Sequence, residues 1–386
     1  MIAALFWFAV AVIGYVYAGY PLAMWFLACV KRNPPAAPQT EWPSVSLIVA
    51  AFNEERAIGG KLVNALASDY PPEKLEIIVV SDGSTDATDA IVERFRPQGV
   101  HLLRVAGRRG KTAAQNAAVG VASGDVLVFS DANALYEPDA LRRLVRHFAR
   151  EDVGCVEGRR VDFAPMASAT ARHELTYRDM ESRIKIWESR VLSCTGATGP
   201  IYAVRRSLYV PLDPAMISDF MEPMLIMCRH GKRQVFEPEA ISRECVQGRL
   251  RDEFGRKVRI MTRCLNSLRM APHVLNPFRN GWFALQVVSH RLLRWLAPVF
   301  ALAVFTANVF LLAQPFYRVT LLLQVVFILV AAVGAALDRL DIGPAFLRLP
   351  HYFCAANLAA LDAIGNCLAG RNIVTWRTQR AATAGR

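Results

Sequence analysis

The stretch that decides the fold is "GDVLVFSDANALYEPDAL", residues 124–141. Val126 to Phe129 form an unbroken apolar run that stops at Ser130-Asp131-Ala132-Asn133. An apolar run without polar alternation is a strand buried on both faces, as in a helix-covered parallel sheet. Such a strand delivers Asp131 to the edge of a sheet. A metal-binding edge would naturally carry a second carboxylate two residues on, and Asn133 holds that place.

The same pattern recurs around it. Apolar strands are expected at Val45 to Ala51, Glu76 to Ser81, His101 to Val105 and Val126 to Ser130, alternating with helices over 54–68, 86–95, 111–122 and 138–150. The alternation predicts an α/β domain with a mostly parallel sheet covered on both faces. Ligands in such sheets sit beyond the carboxyl ends of the strands. Those ends read Phe52-Asn53-Glu54-Glu55, Ser81-Asp82-Gly83-Ser84-Thr85-Asp86 and Asp131-Ala132-Asn133. Any one of these suits a turn or a helix cap. Three ends that bring Asn53, Glu54, Asp82 and Asp131 to one rim suit a cation. Near the same rim "GRRGKTAAQNAAV", residues 107–119, opens a helix with Lys111. It is too short for a Walker loop, but a lysine at a helix N-terminus holds phosphate. Acids, a hard metal and that lysine describe a site for a nucleoside diphosphate.

The flanks are of another kind. Of the 386 residues 53% are hydrophobic, and the first thirty carry no charge before Lys31-Arg32. Thirty residues exceed the roughly 20 needed to cross a bilayer, and the basic end is expected in the cytoplasm. Runs at 295–317 and 319–337 are also charge-free. A third, about 350–370, holds Asp362, Asn357 and Asn366; as a fourth span it would place Arg371, Arg377, Arg380 and Arg386 outside against the charge bias, so a re-entrant or interfacial course is the alternative and the expected spans number three or four. The net charge of +12 falls largely at 249–294 and after 371, beside apolar segments. It is read as a lipid-headgroup surface rather than a nucleic-acid face. Eight cysteines without a CxxC pair fit a reducing compartment, not a disulfide framework.

In order and spacing, "SLIVAAFNEE", "IIVVSDGSTDAT", "GKTAAQNAAV", "VLVFSDAN", "GATGPIYAVRRSL" and "ISDFMEPMLIMCRHGKRQVFEPEA" resemble the membrane-embedded family 2 glycosyltransferases, inverting enzymes with a GT-A fold. The resemblance implies a Rossmann-like GT-A domain over 44–245, between a transmembrane helix (1–30, linker 31–43) and amphipathic interface helices (246–290). Membrane helices (291–370) and a basic tail (371–386) follow. It implies that Asn53, Glu54, Asp82 and Lys111 hold a nucleotide sugar, expected to be a UDP-sugar. Asp131 would belong to the family's DxD element, with Mg2+ or Mn2+ on Asp131 and Asn133. Gly196 and Gly199 would line the acceptor side, and Asp219 would be the catalytic base. Chemically, a carboxylate suits removal of an acceptor proton; Asp219 is equally placed to cap a helix, and Glu222 is the alternative.

The segment 252–270 predicts an amphipathic helix on the headgroups. Where processive members carry QxxRW it has Arg256-Lys257-Val258-Arg259-Ile260, so Arg259 or Arg256 would reach the diphosphate. The expected partners are a nucleotide sugar, a polysaccharide or lipid acceptor and membrane lipid, with no nucleic acid; a homo-oligomer is left open.

Overall fold

The computed structural model describes residues 1–31, 41–163, 169–245, 250–340 and 345–372; most of the expected linker, and Arg377, Arg380 and Arg386 of the tail, lie outside them. In chain order the elements are α1 (Ile2–Gly14), α2 (Tyr20–Val30), β1 (Val45–Ala51), α3 (Ile58–Leu66), β2 (Leu75–Ser81), α4 (Thr88–Glu93), β3 (Val100–Arg104), α5 (Lys111–Val121) and β4 (Val126–Asp131). Then come β5 (Leu135–Tyr136), α6 (Ala140–Val145), β6 (Val153–Phe163), α7 (Ala169–Val191), β7 (Ile201–Arg205), α8 (Ser218–His230) and β8 (Arg233–Cys245). The remainder is helical: α9 (Leu250–Met270), α10 (Pro277–Val287), α11 (Leu293–Phe310), α12 (Pro315–Leu340) and α13 (Ala345–Leu368).

One eight-stranded sheet runs in the order β3-β2-β1-β4-β7-β6-β8-β5. The four strands read from the sequence are parallel neighbours. The expectation of a mostly parallel sheet holds for that half only. Beyond β4 the sheet is mixed, because β7 runs antiparallel to both β4 and β6 while β6 and β8 are parallel. In β1 every residue is buried: Val45, Leu47, Val49 and Ala51 face the layer of α3, while Ile48 and Ala50 face that of α5. Helix α3 covers its side with Ile58, Leu62 and Ala65, and α5 covers the other with Ala114 and Ala118, positions one turn apart. Across β4 and β7 the paired Phe129 and Tyr202 rings stack at 4.8 Å.

Among the described residues three helical segments are long and apolar enough to cross a membrane: Ile2–Val30, Pro277–Phe310 and Pro315–Asp338. The break between the last two falls at 311–314, just before Arg318, whose Nε donates to the Leu312 carbonyl. Phe6 and Ala9 of α1 pack on Val304, Ala307 and Tyr317. The later half of the first segment leaves that bundle: Tyr20, Met24 and Ala28 of α2 pack on Ile184 and Val191 of α7. Helix α13 lies along α12 and reaches α9, where Arg269 donates to the Cys367 carbonyl.

Candidate active site

The loops after β1 and β2 are stitched together. Asn53, in the left-handed region at φ 52°, accepts through its side-chain oxygen from Thr85 N at 2.8 Å, and Glu54 N donates to Thr88 Oγ1 at 2.8 Å. Asparagine is among the residues that tolerate this conformation. Asp82 is buried, and its two carboxylate oxygens accept from Arg109 N (2.8 Å) and Gly110 N (2.9 Å). It thereby fixes the turn that leads into α5 and sets Lys111 as the first residue of that helix.

From there Lys111 reaches β4 and pairs with Asp131 Oδ1. The third partner comes from α8. A Cβ added to Gly199 would lie 2.6 Å from Lys111 Nζ, 3.2 Å from Asp219 Oδ2 and 3.6 Å from Asp131 Oδ2. One ammonium and two carboxylates thus surround a point that a Cβ would crowd. Gly196, at φ 103°, packs against Phe220, and Ala197 N donates to the Asp219 carbonyl at 2.9 Å.

The charges act on one another across this gap. Burial raises the Asp219 carboxyl above the ordinary range, opposed by Lys111, reinforced by Asp131 and opposed again by Arg263. Burial also pushes Asp131 up, but Lys111 outweighs it and holds Asp131 below that range. Lys111 is raised despite its own desolvation, by Asp131 first and Asp219 second. Asp219 is therefore the carboxylate whose environment favours taking a proton. Glu222, one turn along α8, is 1% exposed and accepts from Val210 N at 3.2 Å; burial lifts it to about 8.

Asn133 lies in the turn closed by Ala134 N donating to the Asp131 carbonyl at 3.1 Å. Beneath it sits Lys61, fully buried, donating to the Ala134 carbonyl at 2.6 Å and lying 3.7 Å from the centre of the Tyr136 ring. Sequence reading had no signal for it, since Lys61 occupies an ordinary helical position. Among the described residues no three His, Cys, Asp or Glu side chains form a metal-ligating group. The Asp131 carboxylate and the Asn133 amide oxygen, at the two ends of the 131–133 stretch, are oxygen donors of the kind a hard ion takes.

Helix α9 is amphipathic, with Val258, Cys264 and Leu268 buried and Ile260 38% exposed. Thr262, Arg263, Asn266 and Ser267 are buried beside them, where Arg263 and Ser267 bind the turn that feeds α8. Arg263 donates to the Met216 carbonyl at 2.9 Å, and Ile217 N donates to Ser267 Oγ at 3.1 Å. Arg259 is lowered by burial and then by the neighbouring Arg263 and Arg256. Three guanidinium groups thus crowd one side of a helix beside the site. Arg263 was missed, although it lies seven residues after Arg256 and four after Arg259, the spacing of one helical face.

Known proteins resemble the chain over this domain. Residues 46–210 match the family model described as Glycosyl transferase family 2. The chain carries a family 2 glycosyltransferase domain. The β-monoglucosyldiacylglycerol synthase of Synechocystis sp. is 38% identical over 152 residues, 36% of this chain and 32% of that protein. The succinoglycan biosynthesis protein ExoO of Rhizobium meliloti is 35% identical over 113 residues, 29% of this chain and 31% of that protein. The matches thus span about a third of the length of these relatives. In fold, the chain follows the mannosyltransferase PcManGT of Pyrobaculum calidifontis, solved with GDP-Man and Mn2+, with a TM-score of 0.74 at 23% identity over 96% of this chain and 100% of that one. The GT-A assignment therefore holds, and apolar helices flank the domain on both sides.

Proposed function

We propose that the protein is a membrane-bound inverting glycosyltransferase that moves a sugar from a nucleotide-diphosphate sugar to an acceptor hydroxyl at the cytoplasmic face of a membrane. The observation that carries this reading is the convergence of Asp219, Lys111 and Asp131 on Gly199. Asp219 takes the proton of the acceptor hydroxyl as its oxygen bonds to the anomeric carbon. The bond from that carbon to the diphosphate breaks on the opposite face, and the nucleoside diphosphate leaves with the electron pair. The raised carboxyl of Asp219 suits a base that gains a proton in the step.

A divalent ion, when bound, neutralises negative charge on the diphosphate. Asp131 and Asn133 would hold it, with Mn2+ or Mg2+ as candidates; the Mn2+ in the PcManGT structure supports this. Lys111 then gives up its pairing with Asp131 and turns to the diphosphate, where Arg259, Arg256 and Arg263 supply further positive charge. Asn53, Glu54 and Asp82 order the nucleoside end, Asp82 by way of the 109–110 backbone it holds. Gly196 and Gly199 leave the acceptor room.

The donor is a UDP-sugar on the family resemblance; the GDP-Man of PcManGT makes a GDP-sugar the competing donor. For the acceptor, a growing polysaccharide and a membrane lipid both fit a GT-A domain at a membrane. Three candidate spans are few for a polymer channel, and with the similarity to β-monoglucosyldiacylglycerol synthase they favour a lipid. The domain boundaries of this reading are a span before residue 31, the transferase at 44–245 and interface helices from 246, with the second candidate span beginning at Pro277.

The test is to incubate detergent-purified protein with UDP-glucose, UDP-N-acetylglucosamine or GDP-mannose and Mn2+ or Mg2+, and to measure nucleoside diphosphate release. Release from one or more donors is expected. Release from none, with or without added lipid, contradicts the reading.

A further inference from the structure

The loop that carries Gly196 and Gly199 is tied at three points. In the middle, Ala197 N donates to the Asp219 carbonyl. On one side, Thr198 Oγ1 donates at 2.9 Å to Glu157, a fully buried carboxylate that also holds Lys185 at 2.6 Å and Gln234 at 3.2 Å. On the other side the tie comes from the membrane helices. Arg291 Nε donates to the Thr195 carbonyl at 2.9 Å.

Arg291 is itself held. Its Nη1 donates to Glu181 Oε1 at 2.8 Å, while Glu181 Oε2 takes Arg294 at 2.8 Å and His290 Nε2 at 3.3 Å. His290 Nδ1 lies 2.8 Å from Glu188 Oε1, and Glu188 also accepts from the Tyr20 hydroxyl of α2. Thr195 Oγ1 closes the set, 3.1 Å from His290 Nδ1, 3.2 Å from Arg291 Nε and 3.3 Å from Glu188 Oε2. His290 and Arg291 sit in a π-helical turn at Val288–Leu292, and a second π-helical turn at Tyr15–Gly19 precedes Tyr20. Tyr15, at the start of that second turn, bonds Ser289 in the first at 2.8 Å. Such turns are over-represented at functional sites because they re-aim side chains.

Arg291 and Arg294 are thus paired with Glu181 of α7. Holding the helices together needs only that pairing; it does not need a guanidinium on the carbonyl of the residue before Gly196. We propose that Arg291 is a positioning residue that sets the Thr195–Gly199 loop, and through it the Asp219 gap, from the membrane helices. Glu181 orients Arg291, and Thr195 is the contact through which it acts. The inference rests on the proposed reading of Asp219 and its neighbours as the transfer site.

The test compares Arg291→Lys, Thr195→Val and Thr195→Ser with the wild type by hydrogen exchange, Mn2+-dependent UDP binding and turnover of whichever panel donor the wild type uses. Arg291→Lys and Thr195→Val should speed exchange in segment 194–199 about tenfold and leave the sheet protected. UDP affinity should stay within roughly threefold while turnover falls about 10- to 100-fold, the scale of a misplaced catalytic group. Thr195→Ser keeps the hydroxyl and should behave like the wild type. If Arg291→Lys does not fold, the two Thr195 variants decide. Unchanged exchange at 194–199, or exchange rising throughout the domain together with lost UDP binding, overturns the proposal. An inactive wild type would defeat the reading of the function instead, and exchange would still decide the loop.

Discussion

Asn133 stands where a second carboxylate would complete an acidic pair at the metal edge. Its amide oxygen is a ligand for a hard cation but carries no charge. Asn133→Asp is therefore expected to tighten Mn2+ binding roughly tenfold in a metal titration, since charge count sets affinity for such ions; no change would remove residue 133 from the ligand set. Gly199 is constrained more directly, because any Cβ there meets Lys111 Nζ at 2.6 Å. The lysine end can move aside, so Gly199→Ala should keep its melting temperature but lose about 100-fold in turnover, measured as nucleoside diphosphate release.

Glu222 shows the difference between a buried acid and a working one. Burial lifts its carboxyl from 4.5 to about 8. Between those pH values the folded chain keeps a proton that the unfolded chain has released, so stability falls as pH rises through that window. Glu222→Gln should flatten the dependence of melting temperature on pH between 5 and 8 and raise it at pH 8, with turnover retained. A pH profile identical to the wild type would show that this carboxyl titrates normally.

At the scale of elements, helix α5 acts as a ruler for α8. Thr112 donates to the Met216 carbonyl at 2.7 Å, Gln115 bonds Ser218, and Asn116 donates to the Leu212 carbonyl at 2.7 Å. The helix that presents Lys111 thus also fixes the register of Asp219. Thr112→Val removes one of these bonds and should cost about 1 kcal/mol of stability, read by denaturation, with a larger proportional loss of turnover than of UDP binding.

The parallel strands were legible because a strand buried on both faces carries an unbroken apolar run, as residues 47–51 of β1, 77–80 of β2 and 126–129 of β4 do. The second half of the sheet was not. Strands β6 and β8 carry Glu157, Arg160, Glu237 and Glu244, whose burial is compensated by partners distant in sequence, such as Lys185, Arg146 and, for Arg160 and Glu244, each other. Periodicity cannot show such pairings. The same holds for α9, which buries Arg263 and Asn266 beside Val258, Cys264 and Leu268.

Over the whole molecule, the first apolar segment does two jobs that composition cannot separate. Its early half packs with α11 and α12, and its later half lies on α7 of the catalytic domain. Strand-end acids and motif order made the rim of the site legible. The coupling of that rim to the membrane helices was not, since Glu181, Thr195 and Arg291 come together only in the fold. Apolar surface on α11 and α12, including Phe310, Leu322 and Leu323, is 61–69% exposed, as suits contact with lipid tails.

The most direct test of the account is Asp219→Asn, assayed for both binding and turnover. The substitution keeps size and removes the proton-accepting charge. Mn2+-dependent nucleotide binding should stay within about threefold of the wild type while nucleoside diphosphate release falls by about a thousandfold or more, the scale of losing a general base. An Asp219→Asn protein that turns over a sugar nucleotide near the wild-type rate would contradict the assignment of Asp219 as base, and with it the central claim.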